Sequence, residues 1–306
     1  MTTVSSPERV DAVSRAGGSM PNRALGNLLI GSLWTLYTLT LRQHLRGKRW
    51  LVIGSLFLLP VGLAVLLRTV APDVPLRGLE FVLVFMFIPQ ALLPLVALVY
   101  ASGIIRDEQE EQTITYLLVR PISKWAMYTV KLAATMTTTM FLTVLLTVLT
   151  YAAVYVSAGA QPESVAHRCF VASSIHALAV VAYCSLFGLM SLLTKRILIA
   201  GVIYTAVVEG VLANFPFGIR LLTVIYYARI IAYRSLAFTV TGPGERTEDI
   251  AAEAWQLNLQ TDPTLLEHPS LSTCVTVLVV ASLVCTALAA WLCSQREFHV
   301  KTPENE

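Results

Sequence analysis

Residues 103–131 read GIIRDEQEEQTITYLLVRPISKWAMYTVK. This is the most charged stretch of an otherwise apolar chain, and long apolar runs flank it, Leu79–Gly103 before it and the run beginning at Trp125 after it. Each run is long enough to cross a hydrocarbon core as a helix. The stretch therefore reads as a cytoplasmic elbow between two membrane spans, shaped to be gripped by another protein.

The composition agrees. Of 306 residues, 13% are charged and 56% are hydrophobic, whereas a soluble domain carries about 25% charged residues. Lipid admits only helices and closed barrels as spanning structures. The apolar runs are continuous rather than alternating, which excludes a barrel. A net charge of +3 gives no footing for nucleic acid. The five cysteines (Cys169, Cys184, Cys274, Cys285, Cys293) show no metal or redox spacing. Cys169 and Cys274 both fall near the outer face, which leaves one disulfide open beside the reading of buried small hydrophobes.

Working outward, residues 1–23 are a polar, disordered cytoplasmic tail. Residues 24–49 form an amphipathic interfacial helix, with Leu25, Leu29, Leu33 and Leu36 at helical spacing and a basic run from Arg42 to Arg49. Read instead as a span, this segment would invert the chain and place the elbow outside, against the positive-inside rule. The spans are 50–70, 79–103, 125–156, 169–193, 197–213 and 271–293. Pro89 and Pro94 are expected to kink the second. The threonine run from Thr135 to Thr147 has its hydroxyls available for the helix backbone or for neighbouring helices. Loop 104–124 joins spans two and three, 214–270 is an outer segment, and 295–306 is a cytoplasmic tail. With both ends inside, fifteen of the 22 basic residues fall on the inner side. The fold class is thus all-α integral membrane: six transmembrane helices in a single domain (24–294), an interfacial elbow helix before them, and a short cytoplasmic helix between spans two and three.

That short helix carries the chemistry. Asp107, Glu108, Glu110 and Glu111 precede Thr113, a fitting N-cap, and acids suit a helix N-terminus. Ile114, Leu117 and Leu118 make its apolar face. Pro121 stops it, and Ser123 is placed to cap the next span. Three readings stand: a solvated membrane-proximal cap, a hard-cation site, which no His or Cys supports, and a docking element for a cytosolic partner.

The segment resembles the cytoplasmic loop of the type-two ATP-binding-cassette (ABC) export permeases. That family carries an acidic pair, Gly-Thr, two leucines, Pro-[Val/Ile]-Ser-Arg and a later Lys. Here stand Glu108 and Glu111, Thr113, Leu117-Leu118, Pro121-Ile122-Ser123-Lys124 and Lys131. Gln112 replaces the usual Gly, which removes easy access to positive φ. Lys124 replaces the usual Arg, keeping the charge but not the planar fork.

The resemblance implies a permease subunit of an ATP-driven exporter in the plasma or inner membrane. Its coupling helix would sit on a separate ABC ATPase, with Arg106, Asp107, Glu108, Glu110, Glu111, Gln112, Thr113, Ile114, Leu117, Leu118, Arg120, Pro121, Ser123 and Lys124 as the coupling residues. Two ATPase copies and a second permease chain are the implied partners, besides membrane lipid. The chain has no G-x-x-x-x-G-K-[ST] phosphate loop, so ATP and Mg belong to the partner. No cofactor, metal or catalytic residue is expected on this chain.

Two further residues stand out. Glu209 is the one acid this reading places at membrane depth, a functional-site candidate by default. It contacts cargo, pairs with Arg220 across the Asn214-Phe215-Pro216 turn, or lies solvated at the interface. Lys131, near the inner end of span three, is expected to snorkel. His44 and His176 lack companions and read as hydrogen-bonded structural residues. The alternatives are an ATPase-independent secondary transporter, which calls for inverted repeats and mid-membrane polar residues, and a membrane scaffold or assembly factor. The cargo is not legible.

Overall fold

The computed structural model describes residues 22–46, 48–104, 123–156, 165–214, 218–241, 247–255 and 269–295. The acidic run and short helix read at 106–121 lie outside these residues, as do both chain ends.

The first described elements are α1 (Asn22–Arg46) and α2 (Lys48–Val70). There follow α3 (Leu76–Ala101), α4 (Lys124–Tyr155), α5 (Val165–Leu193) and α6 (Ile197–Asn214). A 3-10 turn at Gly218–Leu222 leads into α7 (Val224–Ser235). Strands β1 (Thr239–Thr241) and β2 (Thr247–Asp249) pair antiparallel, with Val240 opposite Glu248. The short α8 (Ile250–Ala254) and the long α9 (Leu271–Gln295) complete the order.

Among the described residues, six helices are long and apolar enough to cross a membrane: α2 from Trp50 onward, α3, α4, α5, α6 and α9. These are the six spans read from the apolar runs, with ends shifted by up to four residues. The α1 helix is not among them. Its Tyr37 hydroxyl donates to Thr137 Oγ1 (3.0 Å) and its His44 Nε2 meets Thr135 Oγ1 (3.2 Å). These contacts, seven residues apart on α1, fasten it to α4. His44 also sets its ring edge against Tyr100 (5.0 Å).

The α5 helix lies at the centre, touching α3, α4, α7 and α9. It and α3 are the most buried spans, while α2, α6 and α9 turn most of their surface outward. The threonine run of α4 behaves as lipid demands. Thr135, Thr138, Thr139 and Thr147 return their hydroxyls to carbonyls four residues back. Two of them also reach α5, Thr139 to Cys184 Sγ (3.3 Å) and Thr147 to His176 Nδ1 (2.9 Å).

Two spans change their winding. The α3 helix is π-wound over Phe81–Leu92, and α6 is π-wound over Thr205–Val211 before tightening to 3-10 at Leu212–Asn214. In α3 the cause is at hand. Pro89 and Pro94 cannot donate, so the carbonyls of Phe85 and Gln90 lose their α-helical partners and the ladder re-spaces.

The spans meet closely. A Cβ on Gly201 of α6 would overlap the Leu98 side chain of α3, which is itself buried. Gly201→Val is therefore expected to cost about 1–3 kcal/mol by overpacking. It should lower the temperature at which the detergent-solubilised protein loses monodispersity. Adding Leu98→Ala should recover most of the loss, and equal stability of Gly201→Val and wild type would contradict the close approach.

Candidate functional site: two buried polar clusters and a buried lysine

The helices alternate in direction, which places Glu80, Tyr155 and Arg168 at one end of the bundle and Ile104, Lys124 and Cys293 at the other. The latter is the loop end, because the 105–122 stretch joins two helices there.

At the opposite end, Glu80 of α3 has no exposed surface. Its carboxylate is met from three sides. Tyr151 and Tyr155, one helical turn apart on α4, donate to Oε1 (2.7 Å) and Oε2 (2.6 Å). Arg168 of α5 donates Nε–H to both oxygens (2.9 and 3.2 Å). The same guanidinium donates from Nη1 to the Ala237 carbonyl (2.9 Å) and lies over the Phe238 ring (5.5 Å). Phe238 in turn packs against Phe81, Phe85 and Trp255. One arginine thereby fastens three spans to the chain that follows α7.

The second cluster is built on Glu209, also without exposed surface, in the π-wound part of α6. The Tyr204 hydroxyl donates to its Oε1 (3.0 Å), and the Tyr183 hydroxyl faces it from α5. Its main partners are backbone amides: Val224 N–H donates to Oε1 and Ile225 N–H to Oε2, each at 3.1 Å. These are the first two residues of α7, whose own Thr223 makes no side-chain cap. A carboxyl group from another helix thus caps α7 at the pole that favours negative charge. Five residues on, Arg229 donates Nη1–H to Asn214 Oδ1 (2.9 Å) and Nη2–H to Gln90 Oε1 (3.4 Å), joining α7 to α6 and α3. Arg220 lies over Tyr226 (5.2 Å), and Glu209 is met by Tyr204 and the α7 amides rather than by the arginine across the turn.

His176 is fully buried. Its Nδ1 meets Thr147 Oγ1 at 2.9 Å, so the ring is hydrogen-bonded between α5 and α4. All five cysteines are free, Cys169 and Cys274 included, so the disulfide reading does not hold. Among the described residues no group of three or more His, Cys, Asp or Glu is placed to hold a metal ion.

At the loop end, Lys131 does not snorkel. It is 4% exposed, and its ammonium donates to the Ile104 carbonyl (3.5 Å) just beyond the end of α3. Ser123 occupies the N-cap position of α4 with no side-chain capping bond. Lys124 opens α4, and its carbonyl accepts from Cys293 Sγ of α9 (3.6 Å).

Compared with known families, residues 44–212, more than half of the chain, match the profile of the ABC-2 family transporter proteins. The chain belongs to the ABC-2 transporter family. No curated protein matches the chain. As an ABC-2 protein it is a multi-pass membrane permease subunit of an ABC transporter. The matched region holds the loop between α3 and α4, both glutamates and Lys131. It ends before the turn into α7, so the segment that both clusters grip lies beyond it.

Of the residues singled out in the sequence of this ABC-2 permease, Arg106 to Pro121 lie outside the described residues. Glu209 and Lys131 are each buried and take different partners, Glu209 the Tyr204 hydroxyl and the first amides of α7, Lys131 the Ile104 carbonyl. Glu80, Arg168, Gln90 and Arg229 are the polar residues that sequence reasoning passed over. The signal for the first pair was the tyrosine couple Tyr151/Tyr155, four residues apart on one helix face.

Two outcomes follow. Glu80→Ala strands a buried arginine, and Arg168→Ala strands a buried carboxylate; each is expected to cost about 3–5 kcal/mol. Heating in detergent should show both far less stable than the double change Glu80→Met/Arg168→Met, and a double variant no better than the singles would refute an isolated pair. Glu209→Leu leaves two amides unpartnered, at about 1–3 kcal/mol each. Hydrogen exchange at 224–228 should accelerate strongly in Glu209→Leu and only modestly in Glu209→Gln, which keeps an acceptor oxygen.

Proposed function

We propose that this permease subunit serves an ATP-driven exporter, with loop 104–124 as the coupling element on a separate cytosolic ATPase. The observation that carries the reading is the loop's position. It lies inside the matched ABC-2 region and joins two spans whose feet are packed together at the loop end.

In this reading the apolar face of Ile114, Leu117 and Leu118 is buried against the ATPase. Arg106, Asp107, Glu108, Glu110, Glu111 and Arg120 set its orientation, because charges at the rim of an interface give specificity more than affinity. Gln112, Thr113, Pro121, Ser123 and Lys124 shape the ends of the helix. ATP and Mg sit on the partner. Closure of two ATPases moves two such loops, and each moves its spans as a rigid body. Six spans are few for a complete pathway, so two permease chains work together. The loop end faces the cytosol with both chain termini, and the protein resides in the cell membrane.

The test is co-purification from mild detergent with native partners. The wild type is expected to bring down an ABC ATPase. Leu117→Asp should lose it by about tenfold or more, because a charge forced into a buried apolar contact goes unpaired. Alanine at Asp107, Glu108, Glu110 and Glu111 together should weaken it less. A folded wild type that binds no ATPase would turn the reading toward an ATPase-independent carrier or a scaffold.

A further inference from the structure

A charged ammonium with almost no exposed surface needs a reason to be inside. Lys131 sits seven residues into α4, about 10 Å from its start. Its ammonium meets the Ile104 carbonyl at 3.5 Å, three residues past the end of α3 at Ala101.

The surroundings explain what this fixes. Ile104, Tyr128 and Leu132 are buried beside it, and α5 closes over them at Gly188. A Cβ there would stand 2.7 Å from the Tyr128 hydroxyl, 3.2 Å from Leu132 Cδ1 and 3.7 Å from Ile104 Cδ1. The end of α3, the first turns of α4 and the last turns of α5 therefore meet without slack. The Cys293 contact to the Lys124 carbonyl adds α9 to the same node.

We propose that Lys131 is the positioning residue that locks the two feet of the 104–124 loop to each other, so that displacement of the loop is carried into α3 and α4 as one unit. Ile104 is the last described residue before the loop, and α4 begins immediately after it. With Lys131 in place, a push on either foot moves both helices. Without it, the contact between α4 and Ile104 is lost, and displacement at one foot is no longer passed to the other. The apolar packing around Gly188 holds the helices together laterally, and the lysine adds a polar contact from α4 to Ile104. The inference rests on the coupling reading above, and the experiment separates the two.

Hydrogen exchange is measured on the full chain in Lys131→Met, Lys131→Arg and wild type, first alone and then with the co-purified ATPase before and after ATP with vanadate. In the chain alone, Lys131→Met should raise exchange at 101–104 and 124–128 by about fivefold or more, while the α5 core around Tyr183 stays protected. Lys131→Arg should restore protection. In the wild-type complex, ATP with vanadate is expected to change exchange in α7 at the opposite end. In Lys131→Met the ATPase should still bind, but the α7 response should fall to about a third or less of wild type. Bound ATPase with a full α7 response in Lys131→Met overturns the proposal, as does unchanged exchange at the two feet. If the wild type binds no ATPase, the coupling reading is what fails, and unchanged exchange at the feet still overturns the lock independently. Gly188→Ala serves as the control for packing. It should disturb the α4–α5 contact while leaving exchange at 101–104 below that of Lys131→Met, and the reverse order would assign the lock to packing alone.

Discussion

A carboxylate with no exposed surface must have each oxygen met by a donor, and this constraint at Glu80 organises one whole end of the molecule. Isolated in a low-dielectric interior, the charge would cost far more than a folded domain has to give. Two phenols from α4 and one guanidinium from α5 meet it. The guanidinium then has a face and an edge left over, and these hold Phe238 and the Ala237 carbonyl. The position of the chain after α7 follows from how that arginine must be satisfied.

The same logic recurs with other donors. Glu209 is satisfied by the first amides of α7, so the short helix is gripped near its beginning by α6 and just past its end by α5. Twelve residues make a helix about 18 Å long, too short to cross a bilayer. It is nonetheless largely buried, because α5 and α9 cover it. Irregular backbone is tolerated in a membrane protein where protein rather than lipid surrounds it. The π-wound stretch of α3 and the 3-10 end of α6 lie next to this segment, where Arg229 donates to Gln90 and Asn214.

The two ends are also in step. Twenty-four residues separate Glu80 from Ile104, and twenty-four separate Lys131 from Tyr155. The α3 and α4 helices are therefore pinned to each other by polar contacts at both ends, with apolar packing between. Beyond the lower pin, α4 continues for seven more residues to Lys124.

The spans were legible because lipid asks for long uninterrupted apolar runs, and Trp50–Val70 or Leu271–Cys293 has no other use in water. The threonines of α4 were legible for a related reason, since a hydroxyl in a span has few places to go. Glu80 was not. It sits one residue inside a run beginning at Leu79, where a single acid looks like a boundary, and its partner Arg168 looks like the end of a polar loop. Pairing across 88 residues leaves no local periodicity to detect. Lys131 misled for a different reason: burial of a long cation depends on a carbonyl from another helix, and its sequence neighbours do not reveal it.

That separation of 88 residues has a consequence for how the protein is made. At synthesis rates of about 5–20 residues per second, Arg168 leaves the ribosome roughly 4–18 s after Glu80. During that interval the acid is without its arginine. Glu80 lies only four residues from the start of its helix, where it can wait in interfacial water. Tyr151 and Tyr155 arrive before the arginine and offer the first two bonds. The order of the partners along the chain thus gives an assembly sequence in which the acid is drawn inward by degrees, and the segment after α7 docks last onto a site that is by then complete.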